Sequence, residues 1–137
     1  MDVHVGTTGV ASMVVTSADT AIALGSGDVP VLATPRVIAL MEQATCEALR
    51  GSLEDSRTSV GTEVSVSHRI PTPVGSQVTA RAKVHSVEDR VIRFEVSAAH
   101  QTASGEWVED VATGTIARVV VNRDRFGAAS LPGEDSG

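Results

Sequence analysis

Only one stretch of this chain, residues 33–51, repeats its apolar residues at helical spacing, and the long runs after it alternate at a period of two. Val37, Ile38, Leu40, Met41, Ala44, Thr45, Ala48 and Leu49 recur at three- and four-residue steps and make one wide apolar face. Thr34 followed by Pro35 predicts the start: a hydroxyl able to cap free N–H groups, then a ring preset to helical φ. Gly51 after Arg50 predicts the stop. A lone helix with so broad an apolar face needs a large surface to lie against, and the strands are what the chain offers. Glu42 falls on the flank of that face, beside Ile38 and Leu49, whereas Arg36 and Glu47 project to the far side. A carboxylate at the edge of a buried face is either satisfied by a partner or present for chemistry.

Residues 5–17 are rich in β-branched side chains and predict a first strand. Residues 18–31, with Gly25-Ser26-Gly27-Asp28 and Pro30, read as a loop or short irregular helix, either a lid over a pocket or a plain connector. In residues 57–70, Val60, Thr62, Val64, Val66, His68 and Ile70 share one face, so His68 is expected on the side that meets the helix. Pro71 and Pro73 end that run. Alternation continues through residues 78–85, 91–99 and 107–121, with a bulge expected at Gly114. The order predicts an α+β domain over residues 1–125, a long antiparallel sheet wrapped around one central helix, followed by a polar C-terminal tail over 126–137. Open sheet edges and an uncovered face predict self-association.

With two Phe, one Trp and no Tyr, the core must be built from aliphatic residues. A net charge of −6 argues against nucleic acid or an anionic membrane as the main partner. The single cysteine, Cys46, rules out an intrachain disulfide framework and a Cys-rich zinc site. The sequence lacks a run of membrane-spanning length and a basic-then-apolar leader, so a cytoplasmic protein is expected. Gly-rich phosphate loops, Gly-x-Ser-x-Gly elbows and paired His or Cys metal spacings are missing, so neither cofactor nor metal is expected.

Three residues remain as candidates for chemistry. Taken singly each has a structural explanation: Thr34 as helix cap, Glu42 as the partner of a strand arginine, His68 as a core-edge imidazole bonded to backbone. Taken together they place a hydroxyl, a carboxylate and an imidazole around one apolar pocket, a constellation suited to acyl transfer. Thr34 and Glu42 lie about 12 Å apart along the helix axis, far enough to flank a substrate.

The runs Thr34-Pro35…Met41-Glu42-Gln43-Ala44, Ser59-Val60-Gly61-Thr62…Val66-Ser67-His68, Thr72-Pro73-Val74-Gly75 and Ser86-Val87-Glu88…Phe94-Glu95-Val96-Ser97-Ala98 resemble the fluoroacetyl-CoA thioesterase family of hot-dog proteins. The resemblance implies a hot-dog fold whose homodimer shares a continuous sheet, with active sites at the subunit interface and a dimer of dimers as an alternative. It implies that Thr34, Glu42 and His68 take the catalytic positions, with Gly61 offering a backbone donor to the thioester carbonyl. On this expectation Glu42 attacks the carbonyl or activates water, Thr34 hydrogen-bonds and orients it, and His68 moves the proton. The substrate class is an acyl-CoA or an acyl-carrier thioester, since residues 18–31 hold Ile22, Leu24, Val29 and Val31 but no Phe or Tyr. Arg69, Arg81, Lys83, Arg90 and Arg93 are unranked candidates for CoA phosphates, with Arg69 taken beside Gly61 as a substrate-binding residue. The rival readings are a non-catalytic acyl-CoA-binding hot-dog protein and a hot-dog enoyl-thioester hydratase.

Overall fold

The computed structural model describes residues 1–129. Strand β1 (Thr8–Val14) leads through one turn of 3-10 helix (Ser17–Asp19) and a short helix α1 (Ala21–Leu24) to the long helix α2 (Thr34–Ala48). Strands β2 (Arg57–His68), β3 (Gln77–Glu88), β4 (Val91–Gln101) and β5 (Trp107–Asn122) follow, and a helix α3 (Arg123–Ala129) closes the described chain. The polar tail expected from residue 126 therefore begins inside a helix, and residues 130–137 lie outside the described residues. All strand pairs are antiparallel, in the order β1-β3-β4-β5-β2, so β1 and β2 form the two edges. Among the described residues, no helix is long and apolar enough to cross a membrane.

The apolar face of α2 is buried as its periodicity requires: Val37, Leu40, Met41, Ala44 and Ala48 pack against Val78, Val84, Ile92, Phe94 and Ile116. Small residues set how closely helix and sheet approach. A Cβ on Gly9 of β1 would collide with the carbonyl of Ala44 and the backbone N of Ala48. Ala11, Ala80, Ala82 and Ala98 continue this shallow floor, and Phe94 is the one aromatic side chain in the core cluster. The helix lies mainly over β1 and β3 and meets β4, β2 and β5 far less. The inner surface near the β2 edge is thereby left uncovered.

Two expectations about the strands are corrected. In β2 the register slips between Gly61 and Glu63, so Thr62 is an extra residue against β5. The bulge inverts the face pattern: Ser59 and Gly61 look toward α2 before it, Val66 and His68 after it. Val60 and Thr62 therefore do not share the face of His68, because one added residue shifts a period of two by half a cycle. Gly114 is no bulge; it pairs in register with both Val66 and Val96. A side chain there would strike the carbonyl of Ser65 and the Cα of Val66, so glycine answers a close strand approach. The irregularity in β5 falls instead near Asp110, which has φ 53°, opposite the slip between Ala98 and His100.

Candidate active site

Ala33, with extended backbone, is the N-cap of α2, and Thr34 is already helical, with Pro35 next to it in the first turn. Capping needs an extended residue whose side chain folds back onto the free N–H groups, so Thr34 does not take the role expected of it. Its Oγ1 lies 2.8 Å from Nδ1 of His68, the last residue of β2. Burial lowers the pKa of His68 and keeps its imidazole neutral around pH 7. The other ring nitrogen, Nε2, is buried and makes no hydrogen bond among the described residues. One nitrogen is thus fixed by a hydroxyl, and the second is free to take or give a proton.

Two turns further along α2, Glu42 is half-exposed, with Oε2 3.4 Å from Nη1 of Arg118. Arg118 is 7 % exposed and tied on several sides. Its Nε donates to Ser59 Oγ at 2.8 Å, Nη2 to the Ser59 carbonyl at 3.0 Å, and Nη1 reaches Thr45 Oγ1 at 3.5 Å. Thr45 Oγ1 in turn donates to the Glu42 carbonyl at 2.5 Å. A Cβ on Gly61 would fall onto Glu42 Oε2, so the absence of a side chain there is what makes room for the carboxylate. Thr34 was expected to orient Glu42. It is occupied by His68 instead, and the carboxylate is held by Arg118.

Arg118 is the site residue that the sequence reading passed over. A signal was present: Arg118 shares strand parity with Ile116 and Val120, both buried, so a charged group stood on the core face of β5. A buried guanidinium requires a paired anion or hydrogen-bonded donors, and Arg118 has Glu42 as the first and Ser59 and Thr45 for the second.

The segment between β1 and α2 roofs the Thr34–His68 pair. Its ends are sewn together by the Thr20↔Leu32 bridge and by the Ala21 N–H to Val31 carbonyl bond at 2.9 Å. Asp19 accepts from the Thr16 backbone N–H at 2.8 Å and from Arg36 Nε at 3.1 Å, which ties the segment to the first turn of α2. Those contacts, the Thr16 N–H foremost, hold the Asp19 carboxyl below the usual range. Arg36, expected on the far side of the helix, is thereby engaged. Beneath the roof lies a cavity of about 290 Å³ that takes in Thr34, His68 and Arg69 on its wall. Glu42 is not part of that wall and opens toward the β2 edge.

Arg69 is exposed, its Nη2 bonded to Thr113 Oγ1 at 2.9 Å. Arg81, Lys83 and Arg93 stand exposed between buried neighbours, on the outer face of the sheet, and Arg90 sits in the β3–β4 turn. The chain does not bring these four to the Thr34–His68 pair. A larger hollow of about 580 Å³ lies on that outer face among Arg81, Lys83 and Glu95, away from the pair; side-chain chemistry rather than size locates the site. Cys46 is exposed, and among the described residues no cluster of three or more His, Cys, Asp or Glu could hold a metal ion.

A five-stranded antiparallel sheet packed on one central helix, with a hydroxyl, an imidazole and a carboxylate along that helix, defines a hot-dog protein of the thioesterase superfamily. Residues 15–124 match the family described as FlK, fluoroacetyl-CoA-specific thioesterase. The chain belongs to that family. It is 36% identical over 98 residues to the fluoroacetyl-CoA thioesterase of Streptantibioticus cattleyicolor, an overlap of 72% of this chain and 66% of that protein. A solved structure of the fluoroacetyl-CoA thioesterase FlK superposes with a TM-score of 0.82 at 28% identity, covering 96% of this chain and 100% of the other. A threonine variant of FlK in complex with acetyl-CoA gives a TM-score of 0.78 at 29% identity, with 91% and 94% covered. A thioesterase-superfamily protein from Thermus thermophilus, at 22% identity and TM-score 0.79 over 92% and 89% of the two chains, shares the fold.

Proposed function

We propose that this protein hydrolyses an acyl-CoA or acyl-carrier thioester to a carboxylic acid and a free thiol, with Thr34, Glu42 and His68 as its catalytic residues. The observation that carries the reading is the Thr34 Oγ1–His68 Nδ1 hydrogen bond on a cavity wall, on the same helix that presents an Arg118-held carboxylate. Neutral His68 takes a proton through Nε2 from the attacking water and returns it to the departing sulfur as the C–S bond breaks. The water oxygen becomes part of the new carboxyl group, whose proton leaves to solvent. Alternatively Glu42 polarises an attacking water, or itself attacks the carbonyl carbon and expels the thiolate as the C–S bond breaks, forming an anhydride that water then opens to the carboxylic acid and the free Glu42 carboxylate. The Gly61 N–H serves as a donor to the carbonyl oxygen as charge develops there, and Arg69 at the cavity contacts a CoA phosphate.

The relatives named above support the substrate class, one of them being described in complex with acetyl-CoA. Thiol release from acyl-CoA substrates tests the proposal. Glu42→Gln keeps the shape of the side chain and removes its charge, and kcat is expected to fall by about 10² or more. Survival of the activity within about tenfold would exclude Glu42 from the chemistry. The Thr34–His68 bond also favours a second route in which Thr34 is the nucleophile and His68 its base. An acyl adduct trapped on the peptide carrying Thr34 would decide for that route.

The same reading includes a homodimer. Strand β2 is a twelve-residue edge, largely exposed, with its outer row of N–H and C=O groups unpaired among the described residues. Glu42 and Gly61 lie beside that edge, so pairing two β2 strands would cover the open side of each site.

A further inference from the structure

The three aromatic side chains of the sequence all stand away from the Thr34–His68 cavity. Phe94 is in the core, Trp107 begins β5 on the far side of the sheet from α2, and Phe126 is in α3. Beside Ser26, Gly27 and Asp28 at one end, the wall carries an aliphatic stretch: Ala21, Val29, Val31, Leu32, Ile70 and Pro71. Of these, Val29 and Ile70 keep 49% and 37% of their surface exposed, although they stand next to the half-buried imidazole of His68. Exposed apolar groups concentrated at the mouth of a reactive site gain by covering one another with a ligand of the same character.

Size points the same way. At about 30 Å³ per water-sized group, 290 Å³ holds on the order of ten non-hydrogen atoms. A two-carbon acyl group, fluorinated or not, would fill less than half of that space. Among the described residues, no Phe, Tyr or Trp lines the cavity to single out a C–F bond over a methylene, and its one cation, Arg69, is bonded to Thr113 Oγ1.

We infer that the acyl group taken here is a saturated aliphatic chain of about four to six carbons, lying against Val29, Val31 and Ile70 with its carbonyl toward Thr34 and His68. This rests on the thioester reading above and narrows it to a substrate class. Each methylene seated on such a wall improves transition-state binding about fourfold, so butyryl-CoA should exceed acetyl-CoA by about fifteenfold in kcat/KM. The experiment is a kcat/KM series over fluoroacetyl-, acetyl-, butyryl-, hexanoyl- and dodecanoyl-CoA with the full chain. A maximum at butyryl- or hexanoyl-CoA is expected, with fluoroacetyl-CoA no better than acetyl-CoA. Val29→Phe, at an exposed position, narrows the cavity and should lower the butyryl-to-acetyl ratio at least tenfold, a ratio unaffected by the fraction of folded enzyme.

Equal rates along the series, or a maximum at acetyl- or fluoroacetyl-CoA, would overturn the inference while leaving the thioesterase reading intact. Calorimetric binding of S-ethyl-CoA and S-hexyl-CoA, thioethers that cannot be hydrolysed, separates the two failures. Tighter binding of the hexyl compound by tenfold or more supports the aliphatic seat even if no thioester is turned over. Equal binding of the two overturns it.

Discussion

Glu42 depends on a residue 76 positions away in the chain, for Arg118 places its Nη1 at the carboxylate while Ser59 and Thr45 hold the guanidinium still. Arg118→Met removes the charge and leaves Glu42 and the Ser59 carbonyl without that donor. The expected cost is about 2 kcal/mol of stability, with a fall in kcat larger than that of Arg118→Lys, which keeps the charge but loses the fork. Thermal melts and steady-state kinetics on both variants check this, and a methionine variant with wild-type kcat would refute the dependence.

The histidines make a second prediction at the same scale. Burial lowers the pKa of both His68 and His100, the latter bonded through Nδ1 to the fully buried Thr72 Oγ1 at 2.6 Å. In the unfolded chain each titrates near pH 6.5. Between the folded values and about 6.5 the unfolded state therefore binds more protons, so stability increases with pH there. The melting temperature should hold above about pH 6.5 and decline as the pH falls toward the lowered folded values. The acid limb of kcat/KM should have its midpoint below 6.5, because neutral His68 persists past the ordinary histidine range. A midpoint at or above that value would show that His68 does not work as the neutral base.

At the scale of elements, the helix–sheet contact rests on missing side chains. Gly9→Ala places a methyl group against the backbone of α2 at Ala44 and Ala48, where no rotamer change can relieve it. The loss should be about 2 kcal/mol or more, read as a lower denaturant midpoint at unchanged slope. The β2 bulge works in the opposite sense, adding a residue where regular pairing would fail the site. Without the extra residue at Thr62, Gly61 and His68 could not both face α2. The short segment before α2 is similarly conditional, since Asp19, Arg36, Thr20 and Leu32 fix it over the cavity through contacts between residues far apart in the chain.

For the whole molecule, α2 covers β1 and β3 and reaches β2 mainly through Thr34 and Glu42 on its flank. A single chain thus brings Thr34 to His68, and Glu42 to Gly61 and Arg118, as two groups along one helix. A chain of 14.2 kDa should accordingly run at about twice that mass by light scattering at micromolar concentration. Full activity in a species of monomer mass would remove the β2 edge from the proposed assembly.

Local periodicity was enough to determine the single apolar helix, the antiparallel strands around it, the flank position of Glu42 and the inward face of His68. These follow from spacings of three to four and of two residues, which hold wherever the chain is regular. Irregularities escaped it: the bulge at Thr62, the true cap at Ala33, the strand contact at Gly114 and the buried Arg118. Each is decided by a neighbour remote in sequence, and a period read along one strand carries no information about what lies across from it. Thr34 shows the division most plainly. Its place at the head of the helix was legible in Thr34-Pro35, but the partner of its hydroxyl, His68, was fixed only when β2 came alongside.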